Sequence, residues 1–426
     1  MIGWEEKMRL LPSKKVVGEI AVPPDKSISH RALMMCSMSS GVSVVNNLLE
    51  SEDTLRTFRI IGELGGNFRG GFDRMEISLA SWKESLRPLD CGNSGTTARL
   101  MAGVLSGKEG FHVLFGDDSL SGRPMERVVR PLKEMGASIS ARQDSLLPMC
   151  ITGGKLSGSE HSLSVASAQV KSAILLAGIQ AEGTTAVTEP HCSRDHTERL
   201  LHSMGAKISV SNKRVEVEKS ELLPIRFSIP GDVSSAAFPI ALAVLHENGK
   251  VTIREVGLNQ GRTGFLRLLI KMGADIEMEV EESLPEPVGT IVARSSRLIG
   301  VEVGSDLIPS MIDELPLIAL AGVFAEGTTT VRGAGELRKK ESDRISVTVQ
   351  NFRRIGVEIL EHEDGFSVEG PQRITGGKVD SYGDHRIAML FSLAGPLSRE
   401  GVEVTNSNAV NVSFPGFFKT LEEVCQ

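Results

Sequence analysis

Six stretches of the chain are apolar almost throughout, open on a polar or glycine-rich front, and close on a glycine that leads into alternating positions. They are KSISHRALMMCSMSSG, GNSGTTARLMAGVLSGKEG, SAQVKSAILLAGIQAEG, DVSSAAFPIALAVLHENG, DELPLIALAGVFAEG and GDHRIAMLFSLAGPLSREG, closing at Gly41, Gly110, Gly183, Gly249, Gly327 and Gly401. Apolar spacings of three and four predict helices, and the alternation in VSVVNN, TTAVTE, KVTIRE and TTTVRG predicts strands. In five of the six a second helix-like run follows and ends near a glycine: LRTFRIIGELGGNF, RVVRPLKEMGASI, RLLHSMGAKI, FLRLLIKMGADI and TVQNFRRIGVEI. The chain is therefore a repeat of about seventy residues, each copy reading strand, helix, strand, helix, short strands. In the second copy the pattern places the first helix at about residues 95–105, the strand at 111–115 and the second helix from near Arg123.

The last copy runs out soon after FPGFFKTLEEVC and is expected to lack a second helix and return strands. A surplus strand at about residues 15–22 precedes the first helix, so the start of the chain is expected to complete the domain formed by its end. Six copies can stack as a solenoid or split three and three. A solenoid needs polar terminal caps, and none is evident. The expectation is an α/β (α+β) chain of two domains, residues 1–22 with 231–426 and residues 23–230, crossing near Pro23 and Pro24 and again near Pro230 and Gly231. Two crossings permit closure of one domain on the other.

Composition narrows the function. At 426 residues the chain can bury two full cores. A net charge of −7 with both signs mixed makes nucleic acid a poor partner, and 4% aromatic residues argue against a base-stacking surface. No run approaches the roughly eighteen apolar residues of a membrane span, and MIGWEEKMRL lacks an apolar signal core, so a soluble cytoplasmic protein with no membrane partner is expected. Cys36, Cys91, Cys150, Cys192 and Cys425 show no ligand spacing and read as structural thiols, with no metal site.

The candidate chemistry lies at the helix fronts. DKSIS, GNSGT, VASAQ and GDVSS are either N-caps of an ordinary kind or seats for anions, because free backbone N–H groups and the helix dipole favour phosphate or carboxylate there. Several such fronts accompanied by cations shift the balance toward a polyanion site. Lys26 and Arg31 flank the first front, Arg123 follows GDDSLSG, Arg194 lies in SRDHTER, Arg344 in RKKESDR, and Arg386 follows Asp384 and His385. A guanidinium clamps phosphate or carboxylate through two parallel hydrogen bonds. Carboxylates suited to proton transfer share these turns: Asp313 and Glu314, Glu341 and Asp343, and Asp384. Capping is the plainer reading for Asp343 and an equal one for Asp313. GxxxxGK[ST], HExxH and GxSxG are absent, which argues against ATP hydrolysis, metalloprotease chemistry and ester hydrolysis.

At these residues the chain resembles the 5-enolpyruvylshikimate-3-phosphate synthase family. The resemblance runs from PPDKSISHRAL (residues 23–33) through LDCGNSGTTARLMAG, DDSLSGRPM, VASAQVKSAILLAG, SRDHTERL, IDELP, RKKESDRI and YGDHRIAM to VSFPGFF (residues 412–418). It implies a two-domain inside-out α/β barrel-like fold, each domain of three βαβαββ units. It also implies transfer of the enolpyruvyl group of phosphoenolpyruvate to the 5-hydroxyl of shikimate 3-phosphate with release of phosphate, no cofactor, and glyphosate as an inhibitor; a monomer is the default expectation.

By this resemblance Lys26, Ser27, Arg31, Ser167, Ala168, Gln169, Arg194, Asp313 and Lys340 hold shikimate 3-phosphate. Lys26, Gly95, Arg123, Gln169, Arg344 and Arg386 hold phosphoenolpyruvate. Glu341 handles the proton on the methylene carbon and Asp313 that of the hydroxyl, while His385 hydrogen-bonds or shuttles and Lys26 assists phosphate departure. The chain departs from many members at Val412, where they carry a lysine, and at Leu100, where they carry a proline. A sister family uses UDP-N-acetylglucosamine as acceptor, with a cysteine in the loop at residues 115–123 and an asparagine after the first motif lysine; here that loop has no cysteine and Ser27 follows Lys26. A non-catalytic anion-binding scaffold is the third reading, and it has no use for buried carboxylates.

Overall fold

A computed structural model describes residues 7–79, 81–282 and 285–426. The chain divides into two compact units, Pro24–Pro230 with Leu284–Glu286, and Met1–Pro23 with Gly231–Ser283 and Pro287–Gln426. The first unit carries three four-stranded sheets. Their strands, in spatial order, are Arg226–Ser228, Ser43–Asn46, Arg74–Leu79 and Gly66–Gly71; then Leu89–Asp90, Gly110–Phe115, Leu146–Gly153 and Ser138–Arg142; then Glu160–Ser162, Thr184–Thr188, Arg214–Glu218 and Ile208–Ser211. In each sheet the first two strands run parallel and the others antiparallel.

The second unit repeats this plan with strands borrowed from the start of the chain. Val16–Ile20 runs parallel to Gly249–Gly257, with Val16 opposite Gly249 and Ile20 opposite Ile253. Its second sheet joins Glu302–Val303, Gly327–Val331, Gly365–Gly370 and Leu360–His362. In the third, Gly377–Asp380 pairs parallel with Val402–Thr405, and Lys7–Leu10 closes the other side antiparallel.

Each unit has its own hydrophobic core, built around three helices that follow the polar fronts. In the first unit these are Lys26–Ser37, Gly95–Ser106 and Ala168–Gly178; in the second, Val233–Leu245, Leu315–Phe324 and His385–Ala394. They are apolar on all sides because they are buried on all sides, and every residue of Val233–Leu245 is buried. The second helix of a copy has one apolar stripe instead: in Glu52–Glu63 the buried positions are Thr54, Thr57, Ile60 and Ile61. Among the described residues no helix is long and apolar enough to cross a membrane.

Two expected elements differ. The second helix of the second copy is Glu126–Glu134, preceded by a single turn at Asp118–Ser121, and Arg123 lies in the turn between them. Pro124 explains the shift, since a proline disfavours helical backbone at the residue before it. The last copy does have a second helix, Phe417–Val424, and its return strand is Lys7–Leu10. Phe417, Leu421 and Val424 supply a helical stripe only eight residues long, and Gly416 adopts the left-handed φ of 83° that starts it.

Candidate active site

Ordinary capping accounts for part of every front in the unit Pro24–Pro230. Asp25 accepts from Ile28 N–H, Ser94 from Thr97 N–H and Ser167 from Val170 N–H. Ala168 opens the third helix, where a backbone N–H has no intrahelical acceptor. The cations around these fronts are anchored by specific partners. Lys26 Nζ donates to Asp53 at 2.8 Å. Arg31, 3% exposed, donates from Nε to Thr197 Oγ1 at 2.7 Å, from Nη2 to Ser172 Oγ at 2.8 Å and from Nη1 to Ser27 O at 3.0 Å. Burial is the chief reason its pKa falls to about 10; Glu198 and Asp25 oppose the fall, and the Arg194 charge adds to it. Arg123 Nη2 donates to Asn93 Oδ1 at 2.5 Å and to Ser119 Oγ at 3.1 Å.

Gly95 and Gln169 meet at Arg99, a residue given no role by the sequence pattern. Arg99 Nη1 donates to Gln169 Oε1 at 2.7 Å, and Gln169 Nε2 donates to Thr96 Oγ1 at 2.9 Å. A Cβ added at Gly95 would sit 2.7 Å from Arg99 Nη1 and 3.7 Å from Arg123 Nη1. Glycine here lets two guanidinium groups approach a helix front. Arg99 is visible in the sequence as the arginine that follows GNSGT, but nothing in the spacing shows that it holds Gln169.

In the other unit, Arg344 is the centre. Its side chain is 1% exposed and opens the helix Arg344–Arg354. Nε donates to Asp384 Oδ2 at 2.8 Å and Nη2 to Asp384 Oδ1 at 3.2 Å, a two-point clamp. Nη2 also donates to Glu341 Oε2 at 2.6 Å, and Nη1 reaches Asp313 Oδ1 at 3.5 Å. Burial pulls the pKa of this guanidinium down, but Asp384, Glu341 and Asp313 together hold it above its ordinary value. Lys340 Nζ pairs with the same Asp313 oxygen at 3.3 Å. The Asp313, Glu341 and Lys340 side chains keep 18%, 26% and 29% exposure, so a ligand can reach them while Arg344 stays fixed beneath.

Arg386 follows His385 at the start of its helix, and both are buried. Arg386 Nη1 donates to Ser234 O at 3.3 Å and lies 3.6 Å from Glu314, which accepts from Ser234 Oγ. Asp343 and Asp384 are N-caps, accepting from Ser346 N–H and Arg386 N–H. Asp313 caps no helix; Glu314 holds the cap position of Leu315–Phe324. The structure thus gathers Lys26, Ser27, Arg31, Gly95, Arg123, Ser167, Ala168, Gln169 and Arg194 within one unit, and Asp313, Lys340, Glu341, Arg344, His385 and Arg386 within the other.

Two units of three repeats, with cations seated at buried helix fronts, define a known class of α/β protein. The enolpyruvyl transferase NikO from Streptomyces tendae shares the fold, with TM-score 0.81 over 98% of this chain and 96% of that one at 16% identity. An EPSP synthase structure from Acinetobacter baumannii matches at TM-score 0.88 and 38% identity, covering 98% of both chains, and has the two-domain inside-out α/β fold. A family model for EPSP synthase (3-phosphoshikimate 1-carboxyvinyltransferase) matches residues 10–421. The 3-phosphoshikimate 1-carboxyvinyltransferase of Thermotoga neapolitana is 53% identical over 98% of this chain and 99% of its own length, and that of Persephonella marina 45% over 96% and 97%. The chain belongs to the EPSP synthase family.

Proposed function

We propose that this chain transfers the enolpyruvyl group of phosphoenolpyruvate to the 5-hydroxyl of shikimate 3-phosphate, releasing phosphate, as a step of aromatic amino acid biosynthesis. The observation that carries the reading is Arg344, a buried guanidinium bonded to two reachable carboxylates, Glu341 and Asp313. Family membership over nearly the whole chain supports it. Both substrates are multiply anionic, so catalysis needs fixed cations that do not reorganise as charge moves. Lys26, Ser27, Arg31, Ser167, Ala168, Gln169, Arg194, Asp313 and Lys340 are assigned to shikimate 3-phosphate. Lys26, Gly95, Arg123, Gln169, Arg344 and Arg386 are assigned to phosphoenolpyruvate, with Arg99 orienting Gln169.

In the addition step Asp313 takes the 5-hydroxyl proton as that oxygen bonds to C2 of phosphoenolpyruvate. Protonated Glu341 gives its proton to the methylene carbon, and a tetrahedral intermediate results. In the elimination step Glu341 takes a proton back from the new methyl group, the bond from C2 to the phosphate oxygen breaks, Lys26 steadies the departing phosphate, and the hydroxyl proton held by Asp313 passes to that phosphate or to solvent. His385 hydrogen-bonds or shuttles a proton beside Arg386. The protein works as a cytoplasmic monomer, and glyphosate competes with phosphoenolpyruvate at the Gly95 front.

Phosphate release tests the reading. Protein supplied with phosphoenolpyruvate should release phosphate when given shikimate 3-phosphate and not when given UDP-N-acetylglucosamine, and glyphosate should suppress the release. Release with the nucleotide sugar alone would assign the chain the sister reaction, and release with neither acceptor would reject both.

A further inference from the structure

A buried charge cluster centred on Lys171 lies outside the residues assigned above. Lys171 sits within AQVKSAILLAG at 2% exposure, and its Nζ contacts Glu189 Oε2 and Glu198 Oε1, each at 2.7 Å. Both glutamates are 4% exposed. Burial lowers the pKa of the ammonium, but Glu198 and Glu189 raise it further, so Lys171 remains charged. One carboxylate would neutralise it; the chain supplies two, and Glu189 has other partners.

Glu189 Oε1 accepts from Ser167 N–H at 3.2 Å, and its Oε2 accepts from Ser193 N–H at 3.3 Å. Lys171 Nζ also reaches Ser193 O at 3.5 Å. Ser167 caps the helix Ala168–Gly178, and Ser193 leads directly into Arg194. Glu189 follows the strand Thr184–Thr188, and its own N–H is fixed to Lys213 O at 2.9 Å. A single carboxylate on a strand end therefore ties together two turns, and Lys171 offsets part of the negative charge beside them.

We propose that Glu189 is a positioning residue for the acceptor's phosphate: it holds the Ser167 front and the Ser193–Arg194 turn in register, and so sets the preference for a phosphorylated acceptor over an unphosphorylated one. The proposal rests on the assignment of Ser167 and Arg194 to shikimate 3-phosphate. Glutamine puts an NH2 group at one of the two oxygen positions, so either Ser167 N–H or Ser193 N–H loses its acceptor. Steady-state kinetics should therefore compare wild type with Glu189→Gln, using shikimate 3-phosphate and shikimate as acceptors.

Glu189→Gln should raise KM for shikimate 3-phosphate by about tenfold, the size of one lost charged hydrogen bond. It should narrow the preference over shikimate by a similar factor, while kcat and KM for phosphoenolpyruvate stay within about twofold of wild type. If Glu189→Gln does not fold, Glu189→Asp serves in its place, because it keeps the charge beside Lys171 and falls one methylene short of the two turns. An unchanged KM for shikimate 3-phosphate, or an equal rise in both KM values, would overturn the proposal while leaving the enzyme's function intact. A wild-type protein that does not use shikimate 3-phosphate would overturn the functional reading and this inference with it.

Discussion

Arg344 is bonded to Asp384, Glu341 and Asp313, and Asp384 is wholly buried. Removing the guanidinium leaves that carboxylate uncompensated, so Arg344→Met should destabilise the protein by roughly 3–5 kcal/mol, read as a lower urea midpoint. An unchanged midpoint would mean that the cluster is not structural. His30 gives a pH test. It is fully buried, and burial above all lowers its pKa from 6.5 to about 3. Below pH 6.5 the unfolded chain binds a proton that the folded chain refuses, so stability falls as pH drops through this window. Between about pH 7 and pH 5.5 wild type should lose about 1 kcal/mol more than His30→Asn, which keeps a hydrogen-bonding group toward Thr57. Parallel losses in the two proteins would show that His30 already titrates in the folded state. At this scale the cations were legible because they sit in Gly, Ser and Asp turns beside helix fronts. Their partners were not: Asp384 lies 40 residues from Arg344, and Ser172 lies 141 from Arg31, so only the fold pairs them.

Elements were legible wherever a pattern was long. The six buried helices and the strands after their glycines follow from periodicity, because a helix buried on all sides must be apolar on all sides. The pattern failed where it was short or interrupted. Pro124 displaced one helix start, and the eight residues of Phe417–Val424 offered too few turns to stand out. Nor could periodicity show how closely helices approach. A Cβ on Gly103 would fall 2.1 Å from Ala173 O, so Gly95–Ser106 and Ala168–Gly178 touch backbone to backbone there. Gly103→Ala should therefore cost about 1–3 kcal/mol, seen as a shift in urea midpoint at constant m. If the variant were as stable as wild type, the two helices would have to lie farther apart than described.

On the scale of the whole molecule, the repeat explains why strands from the start of the chain lie beside strands from its later part: Val16–Ile20 fills the place in its sheet that Arg226–Ser228 fills in the corresponding sheet of the other unit. Of the two strands that the start of the chain lends, the sequence showed Val16–Ile20 but not Lys7–Leu10, and the last copy lacks return strands of its own but not the second helix. The central claim is chemical, that Glu341 moves the proton on the methylene carbon beside a fixed Arg344. Turnover in deuterium oxide tests it most directly, because a reversible addition places solvent deuterium on that carbon. Wild type should incorporate deuterium into the product's methylene. Glu341→Gln should bind both substrates, lose about 10²–10⁴-fold in turnover, and incorporate none in the same time. If Glu341→Gln bound both substrates and exchanged that hydrogen at the wild-type rate, Glu341 would not be the carbon acid, and Asp313 or His385 would have to take its role.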